Sequence, residues 1–199
     1  MKRKAIVYAA HADDGEIGCG GTIARLKEEG WYINYYAFTL PPYGFREEFE
    51  NAVRVFGVNN GHCFNVSDPR YLDKERQIVL DYMVVAAKDN YDLVFVPNSH
   101  DTHQDHEVVR NEAFRAFKET TILGYELPWN NQTFDTDCFY VLKKSQLDKK
   151  IQAMKQYKSQ AHRSYFKNAK QFVYGLAQTR GLQINAPYAE AFEVIREVK

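Results

Sequence analysis

Paired cysteines are missing from this chain: its 199 residues hold Cys19, Cys63 and Cys138, an odd number, widely spaced and without any CxxC. Neither a disulfide framework nor a thiolate zinc site is indicated, and a reducing cytoplasm is the expected compartment. An excess of either charge is missing too, with 26 Lys plus Arg against 26 Asp plus Glu. No net field draws the chain to nucleic acid or an anionic membrane, so any anionic ligand must be met by local groups. No apolar run approaches the roughly 20 residues that span a bilayer. Met1-Lys2-Arg3-Lys4 resembles the head of a signal peptide, but the apolar run after it stops at His11 and breaks into Asp13-Asp14, which predicts a buried strand. Low-complexity tracts and repeats are also absent, and the length suits one domain over 1–199.

What is present alternates. Residues 4–10 (KAIVYAA) read as a strand, followed by a polar loop and by Thr22-Ile23-Ala24-Arg25-Leu26-Lys27, helical in character and ending at Gly30. Residues 31–39 (WYINYYAFT) are aromatic and β-branched, Pro41-Pro42 stop the run, and a charged helix is predicted at about 45–56. A short strand over 61–66, a helix over 73–89 and a buried strand over 91–96 (YDLVFV) come next. Further helices are predicted to about 118, near 145–158 and near 165–180, with strand candidates at 121–127, 134–142 and the C-terminal AEAFEVIREV. Parallel neighbours need right-handed crossovers, so this alternation predicts an α/β fold: a Rossmann-like three-layer sandwich, its sheet mostly parallel with order 3-2-1-4-5 and helices on both faces.

Two loops concentrate the chemistry. His11-Ala12-Asp13-Asp14-Gly15-Glu16-Ile17-Gly18-Cys19-Gly20-Gly21-Thr22 follows the first strand, and Asn98-Ser99-His100-Asp101-Thr102-His103-Gln104-Asp105-His106 follows the strand at 91–96; together they hold four of the six histidines. In the order 3-2-1-4-5 the first and fourth strands are neighbours, and ligands bind at the crevice beyond their C-terminal ends. Folding therefore brings His11, Asp14 and His106 together. Two imidazoles and one carboxylate suit a catalytic zinc, which keeps a further position for water; another divalent transition metal such as Fe2+ is compatible. Asp13, between the ligands and free of the ion, is the expected general base. The glycine run Gly18-Cys19-Gly20-Gly21 invites a rival dinucleotide-binding reading, but carboxylates stand where the tight-turn glycine belongs and would repel a pyrophosphate.

These residues resemble the PIG-L/LmbE family of zinc-dependent de-N-acetylases, whose motifs are A-H-P-D-D-E-x-x-G-x-G-G-T and H-P-D-H. Ala10-His11-Ala12-Asp13-Asp14 and Gly18-Cys19-Gly20-Gly21-Thr22 match the first and His103-Gln104-Asp105-His106 the second. Arg54-Val55-Phe56-Gly57, Tyr157-Lys158-Ser159-Gln160 and Tyr188-Ala189-Glu190-Ala191-Phe192 extend the similarity over nearly the whole chain. The resemblance implies zinc on His11, Asp14 and His106, Asp13 as base, His103 as oxyanion stabiliser and general acid, and Asp105 orienting His103 and raising its pKa. Departures are Ala12 and Gln104 in place of prolines, Gly15 in place of the motif glutamate with Glu16 one place later, and Phe45 where related members carry a substrate arginine; Arg46 is the substitute.

The expected function is hydrolytic removal of an N-acetyl group from an N-acetylglucosamine-type sugar or its conjugate. The alternatives are the same metal chemistry on another acyl amide or ester, and a non-catalytic nucleotide-sugar binding protein. The expected partner is a small amino sugar, with no nucleic acid and no membrane span, and a homo-oligomer is left open. His100 reads as a surface histidine, with contact to substrate or a second ion as the alternative. Tyr125, Trp129, Arg163, Lys167 and Arg180 are candidates to frame a sugar and a phosphate, with core packing and solvated helix faces as the bland reading.

Overall fold

The computed structural model describes residues 2–40 and 45–199, so the expected stop at Pro41-Pro42 lies outside the described residues. Strand β1 (Lys4–His11) sends Ala5, Val7 and Ala9 to one face and Ile6, Tyr8 and Ala10 to the other, all buried, as a period-two strand does when both faces are covered. It lies between β2 (Tyr32–Thr39) and β4 (Leu93–Pro97), parallel to both. Strand β3 (Asn60–Ser67) joins β2 and β5 (Thr121–Tyr125) joins β4, again in parallel, which gives the expected core order β3-β2-β1-β4-β5. Beyond it, β6 (Cys138–Val141) and β7 (Ala189–Arg196) extend the sheet with β7 antiparallel between β5 and β6.

Helices cover both faces. On the Val7 side lie α1 (Asp14–Glu28), α2 (Phe45–Phe56), α5 (Lys144–Met154) and α7 (Ala169–Leu182), which contribute Ile23, Phe49, Leu147 and Val173 to one apolar cluster. On the Tyr8 side α3 (Arg76–Ala87) and α4 (Gln104–Ala116) contribute Val79, Met83, Val109 and Ala113 to the other. A single helical turn, α6 (Ser164–Lys167), precedes α7.

One expected loop is a helix. The sequence reads as loop from His11 to Thr22, yet α1 begins at Asp14 and runs through the glycines, with a kink at Cys19 (φ −136°, ψ 19°). Past the kink the Gly21 and Thr22 amides donate to Glu190 Oε1 and Oε2 on β7, at 3.0 and 2.7 Å, and Lys150 Nζ on α5 meets the same carboxylate at 2.7 Å. This buried pair caps the second half of α1 from 168 residues away. Glycine is required by packing, since a Cβ on Gly18 would sit 2.2 Å from Tyr125 Cδ2 and one on Gly21 2.5 Å from Leu142 Cδ1. The backbone donors that a pyrophosphate would use are thus committed to a protein carboxylate, which disposes of the dinucleotide reading.

Candidate metal centre and active site

β1 and β4 end side by side, so α1 and α4 begin side by side, with Asp13 and His103 at their N-cap positions. The positive ends of both helix dipoles point into one crevice and favour carboxylates there. Asp14 Oδ2 accepts the His11 backbone N–H at 2.7 Å and lies 3.3 Å from both His11 Nδ1 and His106 Nε2. Those two nitrogens are 3.1 Å apart. A tetrahedral zinc with bonds of about 2.0–2.1 Å holds its ligands about 3.3–3.4 Å apart, so this triangle fits such an ion. A nitrogen of His103 also lies within 4.8 Å of the other two imidazoles. Its Nδ1, however, accepts the Asp105 backbone N–H at 3.2 Å, and Asp14 completes the tighter set.

Each candidate ligand imidazole is backed by a carboxylate. His106 Nδ1 meets Asp101 Oδ2 at 2.7 Å, and His11 Nε2 meets Asp105 Oδ2 at 3.1 Å. Such partners fix ring orientation and leave the other nitrogen free to face the ion. One expectation is corrected here. The Asp105 carboxylate does not touch His103: it lies in the first turn of α4 and turns back to His11 and to the amides of Arg70 (2.5 Å) and Leu72 (3.2 Å). Asp101, which the sequence reading left without a role, also accepts the His103 backbone N–H at 2.9 Å and so ties His106 to the start of α4. Its only sequence signal is its membership of the His/Asp cluster.

The electrostatics suit a cation. Burial alone would lower the pKa of His11, but Asp14, Asp105 and Asp13 raise it to about 10. Burial likewise opposes His106, and Asp14 and Asp101 raise it to about 9. Burial pushes the Asp14 carboxyl up, but the two imidazoliums hold it far below the usual carboxylate range. Protons therefore gather where a divalent ion would displace them. Asp13 makes no capping bond to α1, and burial together with the Asp14 charge raises its pKa to about 6. His103 moves the opposite way from expectation: burial and the neighbouring His106 and His11 lower its pKa, outweighing Asp105 and Asp14. With Nδ1 accepting from the backbone, a neutral His103 carries its proton on Nε2.

The loop is held from beneath by Glu16. Its Oε2 accepts from Tyr35 Oη, its Oε1 lies 2.9 Å from Tyr157 Oη, and the Tyr157 hydroxyl donates to the Ala12 carbonyl oxygen at 2.5 Å. Gly15 makes this possible, because a Cβ there would sit 2.5 Å from Tyr35 Oη. The carboxylate displaced by one position from the motif is thus a buried strut between His11 and the core, and burial raises its pKa to about 8.

A cleft of about 740 Å³ opens over this centre, lined by His11, Asp13, Asp14, His103 and His106 at its base. Phe45 lines it, whereas Arg46 turns to the Cys63 carbonyl at 3.4 Å and is not part of the lining. Trp129 and Tyr165, stacked at 3.9 Å and 12°, contribute an aromatic face, and Arg163, Arg70 and Tyr71 contribute to the walls. Tyr125 is buried with its hydroxyl on the Tyr8 carbonyl, Arg180 is held by both oxygens of Glu126, and Lys167 is absent from the lining. His100 lies apart, 3.0 Å from Asp135 and within 4.8 Å of donor atoms of Asp135 and Glu193.

Residues 6–117, more than half the chain and including both motif loops, match the family described as PIG-L, GlcNAc-PI de-N-acetylase. The chain belongs to the PIG-L family. An Escherichia coli K12 relative, described as the uncharacterized deacetylase YaiS, is 31% identical over 176 residues, covering 79% of this chain and 92% of the relative. Membership of PIG-L makes the chain a deacetylase, a hydrolase of amide bonds. Among solved structures, the N,N'-diacetylchitobiose deacetylase of Pyrococcus horikoshii superposes with a TM-score of 0.79 at 21% identity, covering 97% of this chain and 84% of that one. GalB of Pseudomonas putida KT2440, a 4-carboxy-2-hydroxymuconate hydratase, superposes with a TM-score of 0.80 at 20% identity, over 99% and 98% of the two chains. A hydratase and deacetylases share this architecture, so the PIG-L assignment rests on the sequence match and not on the fold.

Proposed function

We infer that this PIG-L protein is a zinc-dependent de-N-acetylase of an N-acetylglucosamine-type sugar or its conjugate, releasing acetate and the free amine. The observation that carries the reading is the triangle of His11 Nδ1, Asp14 Oδ2 and His106 Nε2, with edges of 3.1 to 3.3 Å, beside the uncapped Asp13 carboxylate. His11, Asp14 and His106 would hold the divalent ion, zinc or another transition metal such as Fe2+. The ion would supply Lewis-acid polarisation of the acyl carbonyl and ease the deprotonation of water.

The chain's own groups do the rest. Asp13 takes the proton of the attacking water, for which a carboxylate of pKa about 6 is well matched near neutral pH. His103 offers its Nε2–H as a neutral donor to the developing oxyanion and keeps that proton, while the proton that Asp13 has taken from water passes to the departing amine. Asp101 and Asp105 keep the two ligand rings in place. The Trp129–Tyr165 face suits a pyranose ring. The single seven-stranded sheet supports reading 1–199 as one domain. Among the described residues no helix is long and apolar enough to cross a membrane, and three unpaired cysteines fit a reducing compartment such as the cytoplasm.

Acetate release from a panel of N-acetylated amino sugars by zinc-loaded protein tests the reading. Release expected from at least one N-acetylglucosamine derivative, strongly reduced by Asp13→Asn, supports it. Release only from non-sugar amides or esters transfers the chemistry to another acyl group, and no bound metal after repletion overturns it.

A further inference from the structure

The stretch Tyr157-Lys158-Ser159-Gln160 carries part of the family resemblance, yet the reaction described above uses only Tyr157, as a support for the metal loop. Gln160 closes a single 3₁₀ turn (Lys158–Gln160) and lines the cleft over the candidate metal centre while being only 8% exposed. A side-chain amide taken out of bulk water still needs partners for its carbonyl oxygen and for its NH₂ group. The other buried amides have them. Among the described residues these are Asn34, Asn98 and Gln146. Asn34 accepts from Asn60 and donates to Tyr91 Oη, Asn98 accepts from the His100 backbone N–H and donates to the Tyr125 carbonyl, and Gln146 accepts from the Lys143 backbone N–H and donates to Glu28. Gln160 differs, because neither its Oε1 nor its Nε2 is hydrogen-bonded to a described residue. Leaving a buried amide unmet is costly, so an unpaired one in a cleft wall points to a ligand group that meets it.

The turn that presents Gln160 is fixed on both sides. At its start the Tyr157 hydroxyl donates to the Ala12 carbonyl at 2.5 Å, beside Asp13 in the metal loop. In its middle the Ser159 backbone N–H and hydroxyl donate to the two oxygens of Glu48 on α2, at 3.0 and 2.5 Å. Gln160 itself donates its backbone N–H to the Tyr157 carbonyl at 3.1 Å and accepts from the Arg163 backbone N–H at 2.9 Å. Its backbone is thus satisfied and tied to the loop that holds Asp13, while its side chain is left for the cleft. A polar group held this way before a ligand arrives costs little further ordering on binding.

We propose that the Gln160 side-chain amide is a specificity-determining group that hydrogen-bonds a ring hydroxyl of the sugar carrying the acetamide. This rests on the de-N-acetylase reading for what occupies the cleft and adds which residue distinguishes a sugar from a plain acyl amide. The amide is neutral and offers a donor and an acceptor in one plane. A carboxylate on the ligand would leave Oε1 unmet, and an ammonium would leave Nε2 unmet. A hydroxyl, or a vicinal pair of them, both donates and accepts and so meets the two ends together. The acetamide carbonyl belongs to the candidate metal ligands and His103 in the proposed reaction, which leaves the ring hydroxyls as the groups of matching chemistry. The Trp129–Tyr165 face, lining the same cleft, suits the apolar side of the ring while Gln160 reads its polar edge.

The test compares kcat/KM of zinc-loaded protein on an N-acetylglucosaminide and on its monodeoxy analogues, each lacking one ring hydroxyl. In wild type at least one analogue is expected to fall by about tenfold or more, because the amide is then left unmet. In Gln160→Met, which keeps length and volume without the amide, the parent sugar falls by a similar factor and that analogue regains parity with it. Gln160→Glu keeps an acceptor but not the donor and serves as the second variant, expected to narrow the same ratio. Analogues all within about twofold of the parent in wild type, or a deoxy penalty undiminished in Gln160→Met, overturn the proposal. Equilibrium binding of the same sugars to zinc-loaded Asp13→Asn, with and without Gln160→Met, is read independently of turnover. A deoxy penalty on binding that Gln160→Met removes, without acetate release from any sugar by wild type, would sink only the deacetylase reading. Acetate release with no deoxy penalty sinks only this proposal, and failure of every sugar to bind or react sinks both.

Discussion

Replacing Glu16 by Gln is expected to stabilise the metal-free protein at neutral pH and to flatten its pH dependence. Glu16 is fully buried, and burial raises its pKa from 4.5 to about 8 against the opposing hydrogen bonds from Tyr35 and Tyr157, with Asp13 adding to the rise. The folded state therefore keeps a proton that the unfolded chain releases above about 4.5. Stability from this group is complete below that value, falls by about 1.4 kcal/mol per pH unit as pH rises, and levels off only above about 8. At pH 7 the accumulated loss is about 3 kcal/mol, a large share of an ordinary domain's stability. Gln stays neutral throughout, offers an oxygen to Tyr35 and an N–H to Tyr157, and so resembles the protonated acid. Urea unfolding in chelator, followed by circular dichroism from pH 5 to 9, should show the two proteins close together at pH 5 and about 3 kcal/mol apart at pH 7. Parallel stability curves, or a variant less stable than wild type at pH 7, would refute the argument that the strut is held as a neutral acid.

Other outcomes follow from the same geometry. Asp13→Asn should lower kcat by roughly 10² to 10⁴, and the wild-type rate should fall as pH drops through about 6 or below. The variant should lose that acid limb, and stopped assays over pH 5 to 9 check both effects. Asp101→Asn leaves His106 without its anionic partner and should weaken zinc by roughly 10 to 100-fold in chelator competition; unchanged affinity would show that the pair at 2.7 Å does not position the ligand. Gly18→Ala drives a Cβ to 2.2 Å from the buried Tyr125 ring and should cost roughly 1–3 kcal/mol in urea unfolding. Glu190→Gln removes the charge that meets both Lys150 and the Gly21 and Thr22 amides, and should cost roughly 3 kcal/mol or more by the same measurement.

The positions of the candidate metal ligands were legible in the sequence because they depend on topology alone. Short continuous apolar runs alternating with helical segments imply the parallel order, the order makes β1 and β4 neighbours, and the motif residues stand at the ends of those strands. The antiparallel insertion of β7 between β5 and β6 is different: AEAFEVIREV reads as a strand, but nothing local to it says which edge it joins.

What only tertiary structure decided is which charge faces which. Asp101 and Asp105 are near neighbours of His103 in sequence, yet they serve His106 and His11, because Asp101 lies in the loop before the N-cap of α4 and Asp105 in its first turn, and local backbone geometry, not proximity along the chain, sets where each side chain points. His103 consequently sits among imidazoles with its Nδ1 on a backbone amide, and burial lowers a pKa that sequence adjacency to Asp105 had suggested would rise. The same holds for α1, where a run of glycines that reads as loop becomes helix once a carboxylate 168 residues away caps its kink. Sequence by itself determined the candidate ligand types and the crevice they share. Burial and long-range hydrogen bonding, which exist only once the chain has folded, determined their protonation and partners.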